Sequence, residues 1–249
     1  MAAHYNGALD GYTYGSQLAP FDGVVSVQWH RTALGRFLLP GIAVERQKDG
    51  VKGAANLIAF RKILAALQAG RLVLFFPEGT SRLGSERLPI QPGTLLLLRQ
   101  IRKACPAIPI YFCAADYRTP TCWGSDVAFG WEGPLPVRAE SADDAAWVMD
   151  GLLKAQARAQ AAPLNPRSKI LRAWALLVAS PFLPVWWLVE RRARKTADDT
   201  NVIALWKFIY GLPATALAWL VLSLLVQATL GHGWIVTASL VSGWALWKQ

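Results

Sequence analysis

Cysteine is scarce in this chain, three residues in 249, and histidine is equally so. Cys105, Cys113 and Cys122 are odd in number and form neither a CxxC pair nor a Cys/His ligand spacing, so no metal is expected and the thiols read as reduced core residues. An apolar h-region is missing as well: Met1-Ala2-Ala3-His4 passes directly into polar sequence. No cleavable signal peptide is therefore expected, and the soluble part should face the cytoplasm. Neither a GxSxG elbow nor a Walker loop occurs, which removes both as competing mechanisms. Acidic residues are few, 16 against 26 Lys and Arg, leaving a net charge of +10. That balance calls for a polyanionic partner. The basic residues are not interleaved with aromatics and no reading helix is recognisable, so the expected partner is the anionic face of a membrane and not nucleic acid.

What is present divides in two. Residues 1–165 mix charges, turns and short apolar runs as a soluble domain does, with 17 Lys/Arg against 13 Asp/Glu. Beyond them the chain is dominated by long apolar stretches, carries 9 basic residues against 3 acidic ones, and is rich in tryptophan, which suits an interfacial belt. A domain over 1–160 and a membrane-associated helical tail over 161–249 are expected.

Three apolar segments make up the tail. Residues 173–189 contain Pro181 and Pro184 and are flanked by Arg167, Lys169 and Arg172 before and by Arg191, Arg192, Arg194 and Lys195 after. Positive charge at both ends argues for a re-entrant or interfacial segment, although the stretch is just long enough to span. The second basic cluster reads as a lipid-headgroup or topogenic patch. Residues 208–230 read as a full span. Gly231-His232-Gly233 then supplies a turn, and 234–247 returns toward Lys248 as a hairpin with its basic ends inside, or as a shallower one.

The first part alternates strands and helices. Val24–Trp29 and Ile42–Glu45 read as strands. A helix is expected over 54–69, with Leu57, Phe60, Leu64 and Leu67 recurring on one buried face beside Ile63 and Gly70 as its stop. Leu72 to Phe76 is a continuous apolar run ended by Pro77, as in a strand covered on both faces. Further helices are expected from Pro92 to Lys103 and from Asp143/Asp144 to about Ala159, with a strand at Ile108–Cys113 between them. The fold class is α/β, a layered sheet with flanking helices, followed by C-terminal hydrophobic membrane helices.

Chemistry concentrates in two places. Phe76-Pro77-Glu78-Gly79-Thr80-Ser81-Arg82 gathers a carboxylate, hydroxyls and a guanidinium around a glycine at the end of a strand, a composition suited to phosphate, whose plainer reading is a Pro/Gly turn. His4 and Asp10 form the second. A carboxylate that fixes an imidazole tautomer makes a general base, but six positions apart on one helix the pair would point about 120° away from each other. They can meet only if His4 sits on a loop and Asp10 in the first turn of the following helix, with Asn6-Gly7 as the bend. Alone, the pair is equally what solvated residues near a terminus look like. His30 is read as a satisfied or surface histidine, and His232 as part of a turn.

Four blocks in this order, His4 with Asp10, Gly41-Ile42-Ala43-Val44-Glu45-Arg46, Phe76 to Arg82, and Ile108-Pro109-Ile110, resemble the glycerophospholipid acyltransferase family, the group that contains the bacterial 1-acylglycerol-3-phosphate acyltransferases. The likeness covers roughly residues 1–140. It implies transfer of a fatty acyl group from acyl-CoA or acyl carrier protein to a hydroxyl of a glycerol phosphate or lysophospholipid, with membrane lipids as surroundings and no cofactor besides the acyl thioester donor. By that resemblance His4 is the base and Asp10 orients it, Glu78, Gly79 and Thr80 hold the glycerol portion, and Arg46 and Arg82 bind phosphate. Five residues separate His4 from Asp10 where the family usually has four, a variant associated with glycerol-3-phosphate and dihydroxyacetone-phosphate acyltransferases. The third block runs Thr80-Ser81-Arg82 where Thr-Arg-Ser is usual. The family places a strand before its histidine, and only Met1 to Ala3 precede His4, so either the sequence lacks N-terminal residues or the sheet lacks that strand. The alternatives are a non-catalytic glycerol-phosphate or lysolipid-binding scaffold and an enzyme acting on another lysolipid.

Overall fold

The computed structural model describes residues 1–3, 9–18, 20–45, 54–80, 88–118, 126–137, 143–163, 180–197, 203–238 and 241. They fall into two compact units, one of Met1–Arg118 with Val127–Pro163 and one of Leu164–Gln249 with Thr119–Asp126. The protein is mixed α/β.

In the first unit, β1 (Phe21–Ser26) pairs in parallel with β2 (Ile42–Val44) on one side and β3 (Leu72–Leu74) on the other. A second sheet pairs β4 (Ile110–Tyr117) with β5 (Val127–Leu135) antiparallel. Met1–Ala3 lie between the two sheets. Ala2 N–H donates to Phe75 O at 3.0 Å, Ala3 N–H donates to Cys113 O at 2.9 Å, and Cys113 N–H donates to Met1 O at 2.9 Å, an arrangement parallel to β4. Met1–Ala3 thus pair with β4 at an isolated bridge and form no named strand before His4.

Alternation along β4 separates two apolar layers. Phe112 and Ala114 face a core shared with Ala59 and Ile63 of α1 (Ala54–Gln68), Leu98 of α2 (Pro92–Ala104) and Val148 and Leu152 of α3 (Asp144–Ala161). Cys113, Ala115 and Tyr117 face the other layer, with Ala2, Leu74 and Tyr14. A strand buried on both faces reads as a continuous apolar run, which is how Ile110 to Ala115 looks in the sequence. Tyr14 belongs to a short helix, Leu9–Gly15, that we call αN.

These three longer helices match expectation closely, with one correction among them and two among the strands. The buried stripe of α1 is Ala59, Ile63 and Ala66, while Leu57 is 56% exposed. Asn56 explains the rotation. Its amide accepts from Glu45 N and donates to Glu45 O, both at 2.9 Å, which pins the start of α1 to the end of β2 and leaves alanines to approach the sheet. The strand expected from Leu72 to Phe76 ends at Leu74, and Leu72 is half exposed at its open end. Gly70 does stop α1, at φ +71°. Trp29, expected in a strand, lies in the helical turn Val27–His30, which Ala33–Leu38 follows.

The described residues of the second unit, taken by themselves, are mainly two helices. After the 3-10 turn Ser180–Phe182, α4 runs over Leu183–Thr196 and α5 over Ile203–Leu230. The expected interfacial segment at 173–189 is therefore only partly described, and its helix continues through the basic cluster to Thr196. The 28-residue α5 is long and apolar enough to cross a membrane, and it begins five residues earlier than the expected span. Gly231 turns the chain at φ +70°, and residues 234–238 are helical; most of the expected return leg lies outside the described residues.

Candidate functional site

The expected site residues are placed unevenly. His4, Arg46 and Arg82 lie outside the described residues, as does Ser81 beside the last. Asp10, Glu78, Gly79 and Thr80 are described, and both groups lie where strands end.

Asp10 sits in the first turn of αN, the position that the His4/Asp10 spacing requires. It is fully buried, and its Oδ1 accepts a 2.6 Å hydrogen bond from the Tyr117 hydroxyl at the end of β4. Burial, followed by the Asp10 carboxylate and the hydrogen bond to it, pushes the Tyr117 hydroxyl far above the ordinary phenol range, so it remains a donor. One turn along αN, Tyr14 is also buried and its hydroxyl donates to Ala3 O at 2.9 Å. Burial raises its pKa well above the usual phenol value, with Asp10 adding to the effect. Cys113 completes the layer. Burial pushes its thiol up to about 11, against the pull of the Met1 ammonium. That ammonium, which donates to Tyr111 O at 2.6 Å, is itself lowered by burial.

The second group is a turn built to be rigid. Gly79 N–H donates to Phe76 O at 3.0 Å, and Gly79 takes φ +68°, a left-handed value that favours glycine. A Cβ there would also meet Gln91 Cγ at 2.9 Å. Pro77 O accepts from Gln91 N at 3.0 Å and from the Thr94 hydroxyl at 3.1 Å, which clamps the turn to the start of α2. Glu78 is 2% exposed, and its Oε1 accepts Leu88 N–H at 3.1 Å. The carboxylate therefore ties the turn to Leu88. Thr80 is half-buried at the mouth of the turn.

Tyr14 joins the two groups. Its ring centroid is 6.0 Å from that of Phe76, which opens the turn motif, while its hydroxyl holds Ala3, the residue before His4. Asp10, on the same helix, is held by β4. Ala2 and Phe75 are neighbours, joined by the hydrogen bond from Ala2 N–H to Phe75 O. Glu45, the residue before Arg46, is fixed by Asn56. A cavity of about 270 Å³, lined by Met1, Leu67, Leu72, Ile108 and Pro109 among others, lies at the opposite ends of β3 and β4 and takes no part in this arrangement.

Sequence reasoning missed Tyr14, Tyr117, Gln91 and Thr94. Tyr14 carries a local signal, since it stands four residues after Asp10 on one helix face. Tyr117 carries none, being 107 residues from its partner. His30 is the satisfied histidine expected of it, with Nε2 2.8 Å from Leu39 O, and His232 closes its turn with Nδ1 2.6 Å from Leu230 O. In comparisons with known proteins no family model matches this chain, and neither a curated protein nor a solved structure does.

Proposed function

We propose that the protein is a membrane-bound O-acyltransferase of the glycerophospholipid acyltransferase type, acting on a glycerol phosphate or a lysophospholipid. The observation that carries the reading is that Tyr14 of αN, the helix that holds Asp10, touches both Ala3, the residue before His4, and Phe76, which opens the turn to Thr80. In this reading His4 takes the proton of the acceptor hydroxyl, and the oxygen attacks the thioester carbonyl. The new C–O bond forms as the C–S bond breaks, and the proton leaves with the thiol. Asp10, held by Tyr117, orients the imidazole. A thioester is already activated, so a positioned base and charge stabilisation suffice without an acyl-enzyme. Arg46 and Arg82 bind phosphate through guanidinium forks. Since Glu78 already accepts from Leu88, it contributes first to holding the turn and second to a glycerol contact.

Purified protein in detergent, given acyl-CoA or acyl carrier protein donors and a panel of phosphate-bearing and phosphate-free acceptors, tests the proposal. Ester formation is expected with a phosphate-bearing acceptor, with a loss on the order of 100-fold or more in His4→Ala. Acceptor binding without turnover would support the scaffold alternative, and activity unchanged in His4→Ala would remove the base.

A further inference from the structure

The helices α4 and α5 form a hairpin that is covered over only part of its length. Buried residues of α5 are Ile203, Leu205, Lys207 and Gly211, all in its first third. From Leu212 to Leu230 no residue of α5 is buried, and leucines such as Leu217, Leu220 and Leu224 stand open. At 1.5 Å per residue this bare length is about 28 Å, against a hydrocarbon core of about 30 Å. The part wrapped by α4 is therefore the surplus, which places α4 at one boundary of the bilayer.

Side chains at that level fit a headgroup zone. Trp206 and Tyr210 stack with centroids 5.4 Å apart, and the Arg192 guanidinium lies over the Tyr210 ring at 6.0 Å. Lys207, buried within the hairpin, is neutralised by Glu190, whose other oxygen takes Arg194 at 2.6 Å. That single carboxylate is used up by two cations. Arg191, Arg192 and Lys195 are exposed and have no carboxylate partner among the described residues. The other end of α4 is apolar, with Trp187 60% exposed, and Trp186 Nε1 donates to Thr215 Oγ1 at 3.2 Å, farther along α5. So α4 slopes, its tryptophans toward the acyl chains and its cations toward the phosphates.

We propose that α4 is an anionic-phospholipid-binding element at the surface of the membrane that α5 enters, with Arg191, Arg192 and Lys195 as the ligands of the lipid phosphate. The occupant is set by charge: three cations without a carboxylate partner among the described residues, beside an apolar end, match a lipid with a negative headgroup and not a zwitterionic one. The inference rests on the hairpin alone and is independent of the chemistry proposed for the other unit.

The test uses the full chain, reconstituted in vesicles of equal parts phosphatidylcholine and phosphatidylglycerol, extracted gently, with the retained lipid quantified by mass spectrometry. Phosphatidylglycerol should be enriched several-fold over the vesicle ratio, and R191Q/R192Q/K195Q should return it to that ratio. No enrichment in the parent chain, or undiminished enrichment in the variant, would overturn the proposal. An unenriched chain that is dimeric would assign the face to a second copy instead and overturn it equally. A second measurement does not depend on the triple variant folding: spin labels on R191C and L224C, with Cys122 replaced by serine, should report the phosphate level and the hydrocarbon interior. A label on R191C in bulk water would refute the placement.

Discussion

Tyr117 keeps its proton, and Asp10 accepts a hydrogen bond from it inside the first unit, so the pair is a donor and acceptor with no water to replace either. Tyr117→Phe deletes one donor to a buried carboxylate, and a cost of about 1.5–3 kcal/mol in unfolding free energy is expected, measurable by denaturant titration. If Asp10 orients His4, the same variant lowers kcat and leaves the acceptor KM unchanged; a purely structural Tyr117 would leave kcat per folded molecule unaltered. Cys113 gives a second prediction with a definite sign. Its thiol sits at about 11 in the folded chain against an ordinary value of 9.0, so below pH 9 both states hold the proton and nothing is lost. Between pH 9 and 11 the unfolded chain gives up the proton and the folded chain does not, so stability falls as pH rises through this window, by up to about 3 kcal/mol. Melting temperature should decline across that range, and Cys113→Ala should flatten the decline. At this scale Asp10's place in a first helical turn was legible from its spacing to His4, whereas its phenol partner was not, because no local pattern links residue 10 to residue 117.

Elements with a strong period and clear ends were readable. Pro92 at the first turn of α2, Arg102 in its last turn and Asp144 at the start of α3 mark boundaries that the structure keeps, and it adds that Arg102 and Asp144 meet in two hydrogen bonds of 2.7 and 2.6 Å. The strand β5 was missed for a physical reason. It contains Gly130, Gly133 and Pro134, which weaken any strand signal, and it is held in place by pairing with β4 and by the close approach of α3. Gly130 makes that approach possible. A Cβ there would lie 1.9 Å from Ala155 O and 2.4 Å from Ala159 N, both backbone atoms of α3. Gly130→Ala must therefore push the helix from the sheet, and a loss of about 1–3 kcal/mol or more is expected. Gly93 serves as the control. It lies in α2 with nothing within 4 Å of an added Cβ, and Gly93→Ala should stabilise the protein by up to about 1 kcal/mol. Equal thermal shifts in the two variants would contradict the close packing of α3 on β5. The short helices αN, Val27–His30 and Ala33–Leu38 were unreadable because so few residues carry no period and owe their form to packing.

For the whole molecule, the division into a mixed α/β unit and an apolar tail was legible from charge and hydropathy, but two long-range facts were not. Three residues carry no period to read, and the pairing of Met1–Ala3 rests on hydrogen bonds with the distant Phe75 and Cys113. Likewise the span was read from residue 208, while in the hairpin the charge of Lys207 is met by Glu190 and the helix begins at Ile203. If α5 crosses a membrane, the same charges predict its direction. Arg191, Arg192, Arg194 and Lys195 lie beside the start of α5, whereas Gly231-His232-Gly233 at its far end carries no Lys or Arg. The basic end is expected to stay inside and the turn to reach the outer face. An impermeant maleimide distinguishes the possibilities in a chain whose native cysteines are replaced by alanine. H232C should be labelled in right-side-out vesicles and K195C only in inside-out ones. Labelling of both from the same face would mean that α5 does not cross, and the tail would then be a shallow hairpin held in one leaflet.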